Sequence, residues 1–126
     1  MDWNSLFFSF EGRIGRTSFW IGSLILGFIH WASTAVAYGA AGQTVAGIVG
    51  SIVVLVTLYS SFAIAAKRWH DHGKSGWWTL IVLIPFFGVL YYLVVCGFMR
   101  GTEGPNRFGS DPLADAMPRA AGGATA

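Results

Sequence analysis

The sequence predicts an all-α integral membrane protein with three transmembrane helices, and three observations predict it. Residues 17–66 contain no Asp, Glu, Lys or Arg, and neither do residues 75–99. Only 11% of the 126 residues are charged and 54% are hydrophobic, whereas a soluble domain carries about 25% charged residues. Phe19, Trp20 and Tyr38 bracket the first apolar run, as rings at the headgroup level of a bilayer do. A spanning helix needs about 20 apolar residues, each rising about 1.5 Å. The first charge-free stretch holds two such helices and the second holds one.

The elements follow in order. Residues 1–12 are short and aromatic, with Trp3, Phe7, Phe8 and Phe10, and predict a segment lying in the interface. Span 1 covers about 19–38, with Thr17 or Ser18 as its N-cap. Ala35-Val36-Ala37 resembles a signal-peptide cleavage site, but the run is long for a signal and contains bulky Trp20, Phe28 and Trp31; retention as a span is expected. The uncharged turn at 39–44 makes span 2, about 45–66, its antiparallel neighbour. Span 3 covers about 77–99 and contains Pro85 and Gly88, which predict a kink. The alternative for this segment is a re-entrant hairpin turning at 84–88. Its arms would be short, and a lipid-exposed turn leaves backbone groups unsatisfied, so a full crossing is favoured. Residues 1–112 form one membrane domain, and 113–126 a disordered tail.

Charge sets the orientation. Arg13, Arg16, Lys67, Arg68 and Lys74 flank the spans on one side, and the turn at 39–44 has no basic residue. The positive-inside rule puts the N-terminus of this multi-pass protein in the cytoplasm. A full third crossing then carries Arg100, Arg107 and Arg119 outside, against the same rule. Basic residues confined to membrane flanks suit anionic lipid as a partner and not nucleic acid. The single cysteine, Cys96, allows no intrachain disulfide and reads as a small apolar residue. Ser23 and Gly27 on span 1, and Gly42, Ala46 and Gly50 on span 2, are small residues at fourfold spacing. They are candidate faces for helix packing or for a homo-oligomer.

The order FEGRIGRTSFW, KRWHDHGKSGWW, LIPFFGVLYYL and GTEGPNRFGSDP resembles the DUF805 family of small bacterial inner-membrane proteins, over about residues 7–112. The resemblance implies a polytopic inner-membrane protein and no activity, because the family is defined by unknown function. Its polar motif positions correspond to Gly12, Arg13, Arg16, Arg68, His70, Asp71, Gly73, Ser75, Gly76, Asn106, Arg107, Gly109, Asp111 and Pro112. His72 departs from the motif, so a role for it is not a family property.

Four groups of residues are candidates for function. Arg13, Arg16, Arg68 and Lys74 form a candidate headgroup or partner site with His70 and Asp71, since guanidinium forks bind phosphate. Within it, Asp71 is expected to pair with Lys67 or Arg68. His70 and His72 point apart on a helix and offer no i,i+4 ligand spacing, so no metal or cofactor is expected. Asn106, Arg107 and Asp111 form a candidate docking turn in which Arg107 pairs with Asp111. His30 is an ionisable group inside span 1. The resulting expectation is a non-enzymatic membrane module binding anionic lipid or a membrane partner at its cytoplasmic face. The alternative is a subunit of an oligomeric small transporter or channel. An enzyme using His70 and Asp71 as acid–base groups on lipid is disfavoured, because no nucleophile or metal set accompanies them.

Overall fold

The computed structural model describes residues 2–39 and 44–113. A short helix α1 (Trp3–Phe8) precedes two long helices, α2 (Arg16–Gly39) and α3 (Thr44–Asp71). A 3₁₀ arm (Gly76–Leu83) follows, then α4 (Phe87–Tyr92), which runs on into a π-turn (Leu93–Phe98). No strand occurs among the described residues.

Helices α2 and α3, of 24 and 28 residues, are long and apolar enough to cross a membrane. Only 17% and 28% of their most apolar stretches are buried inside the protein. A core helix of a soluble domain would be mostly covered; these leave Leu24, Phe28, Trp31, Val36, Ile48, Ile52 and Leu55 exposed. Helix α3 ends in a Schellman motif. The Lys74 N–H donates to the Trp69 carbonyl and the Gly73 N–H to the His70 carbonyl. Gly73 takes φ +73°, which only glycine adopts freely.

The core sits at one end of the α2–α3 pair. Leu6 of α1, Phe19 and Leu26 of α2, Ile64 and Trp69 of α3, and Val95 and Cys96 of the π-turn form it. Helix α1 has six residues, too few to persist alone. It is held by Leu6 in this core and by the Asp2 carboxylate, which caps its Ser5 N–H at 3.3 Å. The N-terminal segment, expected to lie in the interface, is a docked helix followed by a short loop, and it leaves Trp3, Phe8 and Phe10 exposed.

The third apolar segment differs from the expected crossing. Its entry, Gly76, lies against Ala66: a Cβ there would sit 2.7 Å from the Ala66 Cβ. Its exit also meets the base of α2 and the end of α3. Trp20 Nε1 donates to the Gly97 carbonyl at 2.8 Å, Arg16 to that of Phe98 at 3.0 Å, and Arg68 Nε to that of Cys96 at 2.5 Å. Entry and exit lie at one end of the bundle, so the segment doubles back as a hairpin. What was expected as a kink at Pro85 and Gly88 is a reversal. Phe86, at φ 64° and ψ −66°, is the centre of a γ-turn of the rarer hand, closed by a 2.7 Å bond from the Phe87 N–H to the Pro85 carbonyl. Gly88 lets the arms touch, because a Cβ there would fall 1.8 Å from the Ile81 carbonyl oxygen. Pro85 offers no N–H, which removes one group the turn would otherwise leave unpaired.

The small residues contribute unevenly to the packing of α2 on α3. The close approach of α2 to α3 is at Gly22, whose Cβ would lie 2.7 Å from Ile64 Cδ1. Gly50 meets Ala37 within the same chain, Gly27 faces open space, and Gly42 lies outside the described residues. Gly88→Ala is therefore expected to destabilise the protein by about 3 kcal/mol or more, since the clash is with backbone and cannot be relieved by a rotamer. Gly27→Ala should leave the melting temperature in detergent unchanged or raise it, since nothing meets the added Cβ and Ala is favoured over Gly inside a helix by up to about 1 kcal/mol. Equal melting temperatures for the two variants would argue against the hairpin.

Candidate functional site

The basic end of the bundle is organised around Asp71, in the last turn of α3. Gly12, at φ +93°, turns the chain between α1 and α2 so that Arg13 reaches it. Arg13 donates to Asp71 Oδ1 from Nε at 3.1 Å and from Nη2 at 2.9 Å. Arg68, one helical turn before Asp71, holds Oδ2 through Nη1. The three side chains are buried, with exposures of 1% (Arg13), 0% (Arg68) and 6% (Asp71). Two guanidinium groups and one carboxylate leave a net positive charge, and carbonyl oxygens surround it. Arg68 donates to the carbonyls of Cys96, Met99 and Ile14. Arg13 donates to those of Thr102 at 2.6 Å, Gly104 at 2.8 Å and Gly109 at 3.2 Å. The Thr102 N–H closes the ring on the Asp71 carbonyl at 2.6 Å. Gly101 packs so tightly against Asp71 that a Cβ would lie 2.1 Å from Oδ2.

Lys67 does not pair with Asp71. Its Nζ donates to the carbonyls of Ser5 and Leu6, the latter at 2.6 Å, and so caps the open C-terminal end of α1. The segment after Arg100 docks on the other side of α3. Asn106 Nδ2 donates to the His70 carbonyl at 2.9 Å, and the Phe108 ring stacks on the His70 imidazole at 4.0 Å and 3°. Asn106 and Gly109 bridge each other, and Asn106 Oδ1 accepts from the Phe108 N–H at 2.8 Å. Arg107 lies over the Phe108 ring at 4.6 Å rather than on Asp111. Asp111 instead accepts from the Gly104 N–H at 2.9 Å and the Leu113 N–H at 3.0 Å, and lies 3.4 Å from Arg100. The Gly104 N–H, then that of Leu113 and the charge of Arg100, hold its carboxyl below the ordinary carboxylate range.

The expected site residues thus divide into two sets. Arg13, Arg68, Asp71, Asn106 and Asp111 join into one network whose donors and acceptors meet protein atoms. Arg16, Arg100 and Arg107 are exposed at the same end, and Lys74, 5.5 Å over the Trp78 ring, is half-buried. His30 stands apart, on a groove of about 410 Å³ between α2, α3 and Tyr92–Leu93. Sequence reasoning passed over Thr102 and Phe108, read Trp20 as a ring at the headgroup level rather than as a donor to Gly97, and gave Lys67 to Asp71 rather than to α1. An aromatic residue inside the polar run Asn106–Gly109 was the one visible signal among them.

Over residues 7–110 the sequence matches the family described as Protein of unknown function (DUF805). The chain belongs to the DUF805 family. Inner membrane protein YhaH of Escherichia coli strain K12 is 32% identical, with 89% of this chain and 97% of that protein covered. Inner membrane protein YhaI of the same strain is also 32% identical, over 82% of this chain and 85% of its own. The uncharacterized protein YiiR is 30% identical, over 82% and 86%. No solved structure matches. In this DUF805 chain the motifs around Arg13, Arg68–Asp71 and Asn106–Asp111 meet in a single buried junction, although they lie far apart in sequence.

Removing one partner of a buried pair strands the other charge. Asp71→Asn or Arg68→Ala should therefore cost about 3–5 kcal/mol, read as a fall in melting temperature and in folded yield. The Asp111 contacts act in the opposite pH direction to a histidine. A carboxyl with a lowered folded-state pKa stabilises the docked segment above its ordinary value, about 3.9, and the contribution is lost as pH falls through the folded value. Proteolysis within residues 100–113 should rise at low pH, and Asp111→Asn should flatten that dependence.

Proposed function

We propose that this protein is a bacterial inner-membrane module without enzymatic chemistry, whose basic end lies in the cytoplasmic headgroup layer and engages anionic lipid. The observation that carries this reading is the distribution of charge. Every described Lys and Arg, namely Arg13, Arg16, Lys67, Arg68, Lys74, Arg100 and Arg107, belongs to one end of the bundle. With the segment 76–98 returning to its starting side, the conflict with the positive-inside rule that a third crossing creates disappears. In this reading α2 and α3 cross, the hairpin re-enters, and the N-terminus and residues 100–113 share the cytoplasmic face. The names of YhaH and YhaI support the inner membrane.

Arg16, Lys74, Arg100 and Arg107 are the groups proposed to meet lipid phosphates, because Arg13 and Arg68 spend their donors on carbonyls. Each basic residue near an anionic surface contributes about 1 kcal/mol at moderate ionic strength. Asp71, with both oxygens engaged by guanidinium groups, is a structural anion in this reading and not a general base. The open face at Ser23 and Gly27 is the surface proposed for any self-association.

Two measurements test the reading. In a Cys96→Ser background, a cysteine at exposed Glu103 should be labelled only from the cytoplasmic side, and one at exposed Tyr38 only from outside. External labelling at both positions would reject the topology. The ratio of anionic to zwitterionic lipid retained by the purified protein should fall by about tenfold or more when Arg16, Lys74, Arg100 and Arg107 are all replaced by Gln. An unchanged ratio would reject anionic-lipid binding.

A further inference from the structure

A second pocket lies at the basic end, outside the Asp71 network. It has a volume of about 270 Å³ and is walled by Phe10 from the N-terminal segment, Ala66 and His70 of α3, and Ser75, Gly76 and Trp77 at the hairpin entry. His70 presents a defined edge to it. Its Nδ1 is 3.0 Å from the Gly12 carbonyl oxygen, which can only accept, so Nδ1 carries the proton. In the neutral imidazole, Nε2 is then a hydrogen-bond acceptor. That atom lies on the Gly76 side, 3.8 Å from where a Gly76 Cβ would be, and it has no hydrogen-bond partner among the described residues. Phe108 stacked on the ring face fixes its plane, and the Gly12 carbonyl on the other nitrogen favours this orientation.

The pocket therefore combines one fixed acceptor with two aromatic rings. Phe10 is partly exposed and Trp77 is 79% exposed. An acceptor beside aromatic faces suits an ammonium group that still carries N–H donors. The surroundings select further. Lys74 immediately precedes Ser75, and Arg107 sits over the Phe108 ring that stacks on His70. Positive charge at this end disfavours a bare cation, whereas a zwitterion also carries a phosphate that such charge attracts. Exposed Phe10, Trp77 and Trp78 give the pocket the aromatic rim of an interfacial site.

We propose that this pocket binds the phosphoethanolamine headgroup of a membrane lipid, with its primary ammonium donating to His70 Nε2 between Phe10 and Trp77. The assignment rests on the reading that this end lies in the headgroup layer, and adds to it a site selective for N–H donors rather than for net negative charge.

The test uses the full-length protein in detergent, exchanged into lipids of identical acyl chains, with bound lipid counted by native mass spectrometry. The headgroups are phosphatidylethanolamine, its N-methyl and N,N-dimethyl forms, phosphatidylcholine and phosphatidylglycerol. Retention of ethanolamine lipid should exceed that of choline lipid by about three- to tenfold, with the methylated forms between them, as loss of one hydrogen bond predicts. Replacing both aromatic walls, Phe10→Leu with Trp77→Leu, should lower ethanolamine-lipid retention at an unchanged melting temperature. Equal retention of ethanolamine and choline lipids by the wild type would overturn the site, as would unaltered selectivity in the double variant. Displacement of bound lipid by millimolar glycerophosphoethanolamine would move the assignment to a soluble zwitterion and overturn the lipid one. The two readings fail separately. Lost ethanolamine selectivity with phosphatidylglycerol dependence intact rejects only this pocket, and the reverse result rejects only anionic-lipid binding.

Discussion

The structure depends on one carboxylate held between two guanidinium groups. Asp71 draws Arg13 from the start of the chain and Arg68 from its own helix, and each arginine brings carbonyls with it. Through them the loop before α2, the end of α3, the hairpin exit and the segment 102–109 meet at one point. A buried ion pair contributes little net stability, because desolvation offsets much of the Coulomb attraction. Its value lies in selection. Any arrangement that separates these segments leaves a buried charge or several carbonyls without partners. The surplus positive charge is matched by carbonyl oxygens, which only this arrangement of chain ends supplies.

The hairpin follows from the same junction. An apolar segment of this length is able to cross a bilayer, and its composition alone favours that outcome. Three local features direct it back. Pro85 and the γ-turn at Phe86 end the 3₁₀ arm, Gly88 lets α4 press on the Ile81 carbonyl, and Arg68 captures the exit carbonyls of Cys96 and Met99. Trp20 and Arg16 take those of Gly97 and Phe98. A helix C-terminus otherwise carries unpaired carbonyls, and here side chains at the base of α2 and the end of α3 satisfy them.

The junction separates structural from accessible chemistry. Residues with strong motif character, Arg13, Arg68 and Asp71, are enclosed and fully engaged. Around them lie Arg16, Arg100 and Arg107 on the surface, half-buried Lys74, and the edge of His70 that faces Gly76. The most charged residues of the motifs therefore build the platform, while less distinctive neighbours are left at the surface of the same end. His70 belongs to both groups, since one nitrogen anchors the loop at Gly12 and the other faces a pocket.

The sequence by itself determined the helical class, the two long apolar helices and the family, whereas the run of α3 on to Asp71 and its end at Gly73 emerged only in the structure. The former are written in local signals: absence of charge over the length of a bilayer, and motifs in a set order. It also marked nearly every residue of the junction. Which of them would touch was decided only by the tertiary structure. Asp71 had Lys67 and Arg68 within one turn, and nothing local pointed to Arg13, 58 residues away. Arg107 and Asp111 lay at pairing distance in sequence, yet the bridge between Asn106 and Gly109 turned one to Phe108 and left the other to Gly104 and Arg100. Apolar periodicity cannot distinguish a crossing from a hairpin, because both bury the same side chains in lipid. The difference lies in where the backbone carbonyls at the exit find donors, and those donors come from the base of α2 and the end of α3.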